Sequence, residues 1–133
     1  MPRGTVVIVD SDANARIVAT TLLELRGFAV RGAADAAEAS ALLDATGAEV
    51  VVFDSDVPGA DTGELALTLR DRKRRTCPPQ LLAVTDHEGV TSSRTALRMG
   101  ADACLSRPLD PRRFIETVER LANAGPLVTA SQE

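Results

Sequence analysis

The sequence predicts a doubly wound α/β fold, a five-stranded parallel sheet with helices on both faces. Three observations carry that expectation. Five short apolar runs alternate with amphipathic helical patterns along the chain, and parallel strands need crossovers, which as helices cover the sheet. The first and third runs, Thr5–Val9 and Glu49–Phe53, are apolar at nearly every position, as strands buried on both faces are. The chain has 133 residues, room for one domain and one core.

Thr5–Val9 ends at Asp10, and Asp12 is placed to cap the following helix. From Ala13 to Arg26 apolar residues recur at Ile17, Val18, Thr21, Leu22 and Leu25, a helical stripe that Gly27 stops. Phe28–Gly32 reads as the second strand. Asp35–Ala45 is an alanine-rich helix with Leu42 and Leu43 inward, closed by Gly47. Glu49–Phe53 is the third strand and runs into Asp54. After a loop containing Pro58 and Gly59, a helix carrying Leu65, Leu67 and Leu69 runs to about Lys73, and Cys77, Pro78 and Pro79 end it. Gln80–Val84 is the fourth strand, a weaker helix spans Val90–Met99, and Asp102–Leu105 is the fifth strand. Pro111, after Asp110, opens a last helix with Phe114, Ile115, Val118 and Leu121 on one face, ending near Asn123. One domain over 1–123 and a polar C-terminal tail over 124–133 are expected.

Composition removes several function classes. Aromatic residues are 2% of the chain, limited to Phe28, Phe53 and Phe114, so stacking on bases has almost nothing to use. Fifteen basic against nineteen acidic side chains leave a formal net charge of −4, which disfavours direct nucleic-acid binding. The basic run from Arg70 to Arg75 reads as a solvated helix end complementing the helix dipole. The first apolar run is too short for a signal peptide or a membrane span, so a cytoplasmic protein with no membrane partner is expected. Cys77 and Cys104 stand apart, with His87 the single histidine, so reduced thiols are expected and not a zinc site. Lys73 is the single lysine.

In open parallel sheets ligands bind outside the carboxyl ends of the strands, where the strand order reverses. The residues at those ends are Asp10, Ser11 and Asp12; Asp54, Ser55 and Asp56; Thr85 and Asp86; and Ser106, Arg107 and Pro108. Carboxylates gathered on one edge repel one another unless a hard cation such as Mg²⁺ joins them. Asp12 is better explained as a cap. Asp10 and Asp54, on strands expected to be neighbours, are the candidate pair.

Four stretches then carry a resemblance: Val7–Arg16, Val51–Asp61, Leu82–Thr85 and Met99–Pro108. In this order on a (βα)5 pattern, from Thr5 to about Leu121, the chain resembles the receiver domain of bacterial two-component response regulators, a flavodoxin-like fold. The resemblance implies that Asp54 accepts a phosphoryl group from a histidine kinase or phosphotransfer protein, with Mg²⁺ as cofactor. Activity would be limited to self-catalysed phosphoryl transfer and dephosphorylation, not that of a conventional enzyme. It assigns metal ligation to Asp10, Asp54 and the main-chain carbonyl of Asp56. Thr85 matches the family's hydroxyl that meets the phosphoryl oxygen. The fourth and fifth helices with the fifth strand form the face that receivers use for an output domain or protein, or for a homodimer.

Three positions depart from the family pattern. Ser11 stands where a second acid serves the metal, so metal binding is expected to be weak. Arg107 replaces a lysine, putting a broad planar fork where a compact point charge is usual; the following Pro108 is preceded in the family by a cis peptide bond. Cys104 replaces the aromatic side chain that follows the threonine. Asp56 and His87 occupy positions that influence phosphoryl lifetime. An impaired receiver and a phosphorylation-independent pseudo-receiver acting as a protein-interaction module both fit these residues. The Asp-x-Asp pattern of haloacid-dehalogenase-like phosphatases occurs at Asp10 and Asp54, but Asn14 and Pro58 replace the Thr or Val that should follow. A flavin site fails on charge, because the first loop holds acids where a phosphate would sit.

Overall fold

A computed structural model describes residues 3–54, 79–85 and 101–123. The five apolar runs form strands β1 (Thr5–Val9), β2 (Ala29–Ala33), β3 (Val50–Asp54), β4 (Gln80–Thr85) and β5 (Ala103–Ser106). They make one parallel sheet in the order β2-β1-β3-β4-β5. The described helices are α1 (Ala13–Glu24), α2 (Ala36–Thr46) and α3 (Pro111–Asn123). The helices expected around Leu65–Leu69 and over Val90–Met99 lie outside the described residues, as do Asp56, His87, Lys73, Cys77, the basic run and the tail.

Side chains alternate across a strand, and here both alternating sets are apolar. Val7, Val9, Val51, Phe53, Leu81 and Ala83 pack with Ala36, Ala39 and Leu43 of α2. Val6, Ile8, Val50, Val52, Leu82 and Val84 pack on the other face with Ala19 and Leu23 of α1 and Phe114, Val118 and Leu121 of α3. The sheet therefore divides the core into two layers, and the expected doubly wound architecture follows.

Strand ends shift by about one residue from those expected, for a reason visible at Glu49 and Asp102. Each precedes its strand and ties down the start of a neighbour. Glu49 Oε1 accepts from the Thr5 amide at 2.9 Å, and Asp102 Oδ2 accepts from the Leu81 amide at 2.8 Å. Strands β3 and β5 start one residue later than these acids and run one residue further, to Asp54 and Ser106. Helix α2 starts one residue after the expected Asp35, which is its N-cap and accepts from the Glu38 amide. Gly47 closes it in the left-handed conformation at φ 62°, which a glycine adopts without steric cost.

The inner stripe of α1 differs from the expected one. Of the expected positions Leu22 packs against the core, whereas Thr21 is exposed and Ile17, Val18 and Leu25 are exposed at 62%, 59% and 77%; the helix is buried through Ala19 and Leu23. The last α-helical residue is Glu24 rather than Arg26. Alanine on the inner side lets the helix lie close to the sheet, and its weak apolar signal loses to the branched residues opposite when periodicity is read from sequence. Ile17→Ala or Leu25→Ala is accordingly expected to change unfolding free energy by less than about 0.5 kcal/mol, the range usual for surface sites. Urea denaturation of each variant checks this; a loss of core size would restore the sequence-based stripe.

Arg3 and Arg26 both pair with Glu119 of α3, tying the chain start and the end of α1 to the last helix. The hydrogen bond from Arg3, joined by the charges of Arg26 and Arg3, holds the Glu119 carboxyl below the usual carboxylate range against an opposing desolvation. A lowered folded pKa stabilises the protein above the unfolded value, and that contribution disappears as pH falls through the folded one. Both arginines are about half exposed, so the effect is screened. Glu119→Gln is expected to cost less than about 1 kcal/mol at neutral pH. Its melting temperature should converge with the parent's as pH drops below the carboxylate range; a gap that stays constant would exclude the ion pair as cause.

Candidate functional site

The strand order reverses between β1 and β3, which places their carboxyl ends side by side. Val9 pairs with Phe53, the last pair of that ladder, so Asp10 and Asp54 follow at matching positions. Both share the parity of Ile8 and Val52, whose side chains face α1 and α3. The Asp10 side chain is 7% exposed and that of Asp54 11%. They sit at one end of a cleft of about 240 Å³ whose walls include Ala15 and Val18 of α1 and Pro108, Leu109 and Phe114 beyond β5.

Asp10 is held from several directions. Its amide donates to the Ala33 carbonyl of β2 at 2.9 Å. Its Oδ1 accepts from the Asp12 amide at 2.9 Å, and its own carbonyl accepts from the Arg16 guanidinium. Asp12 itself is exposed and caps α1, accepting from the Asn14 amide at 2.9 Å, as expected of it. Ser11 is exposed between them. Arg16 had no place in the sequence reading; its position one turn past the Asp12 cap was the available signal.

Arg107 reaches the acids from the far side of the sheet. Strand β4 ends in Thr85, which is 3% exposed and whose carbonyl accepts the Arg107 amide at 2.8 Å. The Arg107–Pro108 bond is cis. From there the side chain crosses the end of β4, and its fork spans both carboxylates. One terminal nitrogen (Nη2) lies 2.6 Å from Asp10 Oδ2 and the other (Nη1) lies 3.6 Å from Asp54 Oδ2. The first is a short charge-assisted hydrogen bond. Thr85 is opposite Ser106 of β5, while Asp54 is opposite Val84, so the threonine lies one residue beyond the acid's partner. Cys104 is half-buried against the core on the α2 side and is a free thiol.

The fold thus brings Asp10, Asp54, Thr85 and Arg107 to one edge. The ion pair between Arg107 and Asp10 was not anticipated, because nothing in a linear sequence gives the reach of a side chain across the ends of two intervening strands, β3 and β4. Among the described residues no three His, Cys, Asp or Glu side chains gather as a metal cluster. The donor chemistry nevertheless fits a hard cation, since Asp10 and Asp54 present carboxylate oxygens and Mg²⁺ keeps waters in its remaining positions. The Asp56 carbonyl lies outside the described residues. No helix among the described residues is long and apolar enough to cross a membrane.

Comparison with known proteins agrees with this geometry. The chain is 26% identical over 117 residues to the transcriptional regulatory protein GltR of Pseudomonas aeruginosa, covering 88% of this chain and 48% of that protein. It is 30% identical over 121 residues to an uncharacterized 14.6 kDa protein of Leptolyngbya boryana, covering 91% and 92%. The chain therefore spans about half the length of GltR but nearly all of the smaller protein. Its fold matches the crystal structure of a putative response regulator from Chloroflexus aurantiacus with a TM-score of 0.84 at 23% identity, covering 92% of this chain and 99% of that one. The family model for the response regulator receiver domain matches residues 6–119, and with a parallel sheet in the order β2-β1-β3-β4-β5 ending in paired acids, the chain belongs to the receiver domain family of two-component response regulators.

Proposed function

We propose that Asp54 is the phosphoryl acceptor of this receiver, working with Mg²⁺ held by Asp10, Asp54 and the Asp56 carbonyl, with Ser11 as a weak contributor. The observation that supports it most is the side-by-side placement of two nearly buried carboxylates where the strand order reverses. Members of the family accept a phosphoryl group on aspartate, typically with Mg²⁺. The bound ion supplies positive charge that reduces repulsion between the donor's phosphoryl oxygens and the acceptor. An Asp54 oxygen attacks phosphorus, forming an O–P bond as the donor's P–N or P–O bond breaks, and the electron pair leaves with the imidazole or carboxylate. The Thr85 hydroxyl donates to a phosphoryl oxygen, and Arg107 supplies N–H donors and charge. Such transfer depends on positioning and charge compensation more than on covalent help.

A histidine kinase or phosphotransfer protein is the donor in this reading. The output domain or protein, or a second copy, meets the face of β5, α3 and the helix expected over Val90–Met99. The domain occupies 1–123, the tail 124–133, and the protein acts in the cytoplasm. Departures at Ser11, Arg107 and Cys104 slow the chemistry without removing it.

Incubation with acetyl phosphate and Mg²⁺, followed by intact-mass measurement, is expected to add one phosphoryl group that EDTA prevents. The alternative is a pseudo-receiver that signals by protein contact alone, and one observation favours it: Arg107 already contacts both acids, at 2.6 Å and 3.6 Å, and offsets part of their charge. A mass unchanged by any phosphodonor would establish that alternative.

A further inference from the structure

The Arg107 guanidinium contacts both acids at once, and this arrangement has a meaning that substitution for lysine does not convey. An ammonium is a single point of charge and serves one carboxylate at short range, whereas a guanidinium presents two terminal nitrogens in a fixed plane. Here those nitrogens are divided between two strands, with Asp10 of the β1 end at 2.6 Å and Asp54 of β3 at 3.6 Å. The side chain is 27% exposed and the carboxylates less, so the charges meet in a poorly solvated place. Its backbone is fixed by the amide bond to Thr85. Both Asp10 oxygens already accept in this arrangement, Oδ1 from the Asp12 amide and Oδ2 from Arg107.

We propose that Arg107 is a resident counter-cation of the acid pair, which must release Asp10 before a divalent ion can bind there. The proposal rests on the reading of Asp10 and Asp54 as metal ligands. It follows from two requirements. A cation approaching Asp10 Oδ2 meets the guanidinium within a few ångströms, where like charges at low dielectric repel strongly. Two nearly buried carboxylates, conversely, need a positive partner, and Arg107 supplies it with no ion from solution. Ser11 belongs to the same design. A third acid would take the net charge of the acids and Arg107 from about −1 to about −2, whereas a serine there keeps the charge that one guanidinium must offset smaller.

The test is metal affinity, measured on the full chain by calorimetric titration with Mg²⁺ and, independently, by melting in EDTA and in Mg²⁺. Arg107→Gln removes the competitor while keeping a polar side chain, and is expected to tighten Mg²⁺ binding at least about tenfold, as removal of a close like charge should. It is also expected to melt below the parent in EDTA and to recover in Mg²⁺ by more than the parent gains. Arg107→Lys retains a charge but not the fork, and is expected to fall between the two in affinity. It keeps the question open to measurement even where the glutamine variant fails to fold. Unchanged or weaker Mg²⁺ binding in whichever variant folds would overturn the proposal. Acetyl phosphate treatment of the same variants separates the two ideas. Tighter metal binding with no phosphoryl uptake leaves the counter-cation standing and removes the acceptor role of Asp54. Uptake with unchanged metal affinity does the reverse.

Discussion

Asp54→Ala is expected to abolish phosphoryl uptake from acetyl phosphate, with no mass gain at any Mg²⁺ concentration that saturates the parent. The nucleophile in this chemistry is a carboxylate oxygen, and alanine has none. The neighbouring acid is a poor substitute, because both Asp10 oxygens are engaged, one by the Asp12 amide and one by Arg107. Asp12 is turned to α1 as its cap. Loss of Asp54 also leaves Arg107 its stronger partner, at 2.6 Å, so the variant should fold and the readout should report chemistry. Intact mass of parent and variant under identical treatment decides the matter. One phosphoryl group on the Asp54→Ala protein would place the acceptor elsewhere.

The second large effect is expected from reverting two departures together. Ser11→Asp adds an acid beside Asp10, and Arg107→Lys removes the fork that spans Asp10 and Asp54. Alone, the new acid adds a ligand to a site whose best oxygen still holds a guanidinium. Alone, the lysine frees Asp10 but leaves the metal one charge short. Groups acting on one step are non-additive, with coupling energies of roughly 0.5–3 kcal/mol between neighbours. The double variant should therefore be phosphorylated faster than the product of the two single gains, by a factor of about two to over a hundred. Initial rates of mass gain for parent, singles and double provide the cycle. A parent as fast as the double variant would make Arg107 a competent replacement and remove the impairment from the proposed function. An inert double variant would favour the pseudo-receiver.

The alternation of apolar runs and helical patterns was sufficient to predict the parallel sheet, because the central strands β1, β3 and β4, buried on both faces, leave continuous apolar runs that local sequence retains. The candidate positions were legible for the same reason. A strand that ends in an acid marks its carboxyl edge, and Asp10, Asp54 and Thr85 all stand where the runs stop. Capping was legible as well at Asp12 and Gly47, which act on backbone groups within a few residues of themselves, whereas Asp35, expected as the first helical residue, is the N-cap of α2.

Burial across space was decided only by the tertiary structure. Helix α1 contains two apolar stripes, and periodicity favours the one with Ile17, Val18 and Leu25, while the sheet accepts the smaller side with Ala19. Which stripe turns inward depends on how closely the helix approaches β1, a distance no local pattern encodes. Likewise Arg107 was visible as a charge at the edge of β5, but its partner was not. The ion pair with Asp10 joins residues 97 positions apart and passes over the ends of β3 and β4, so it exists only because the strand order sets β1, β3, β4 and β5 in a row and because the arginine side chain is long enough to cross them.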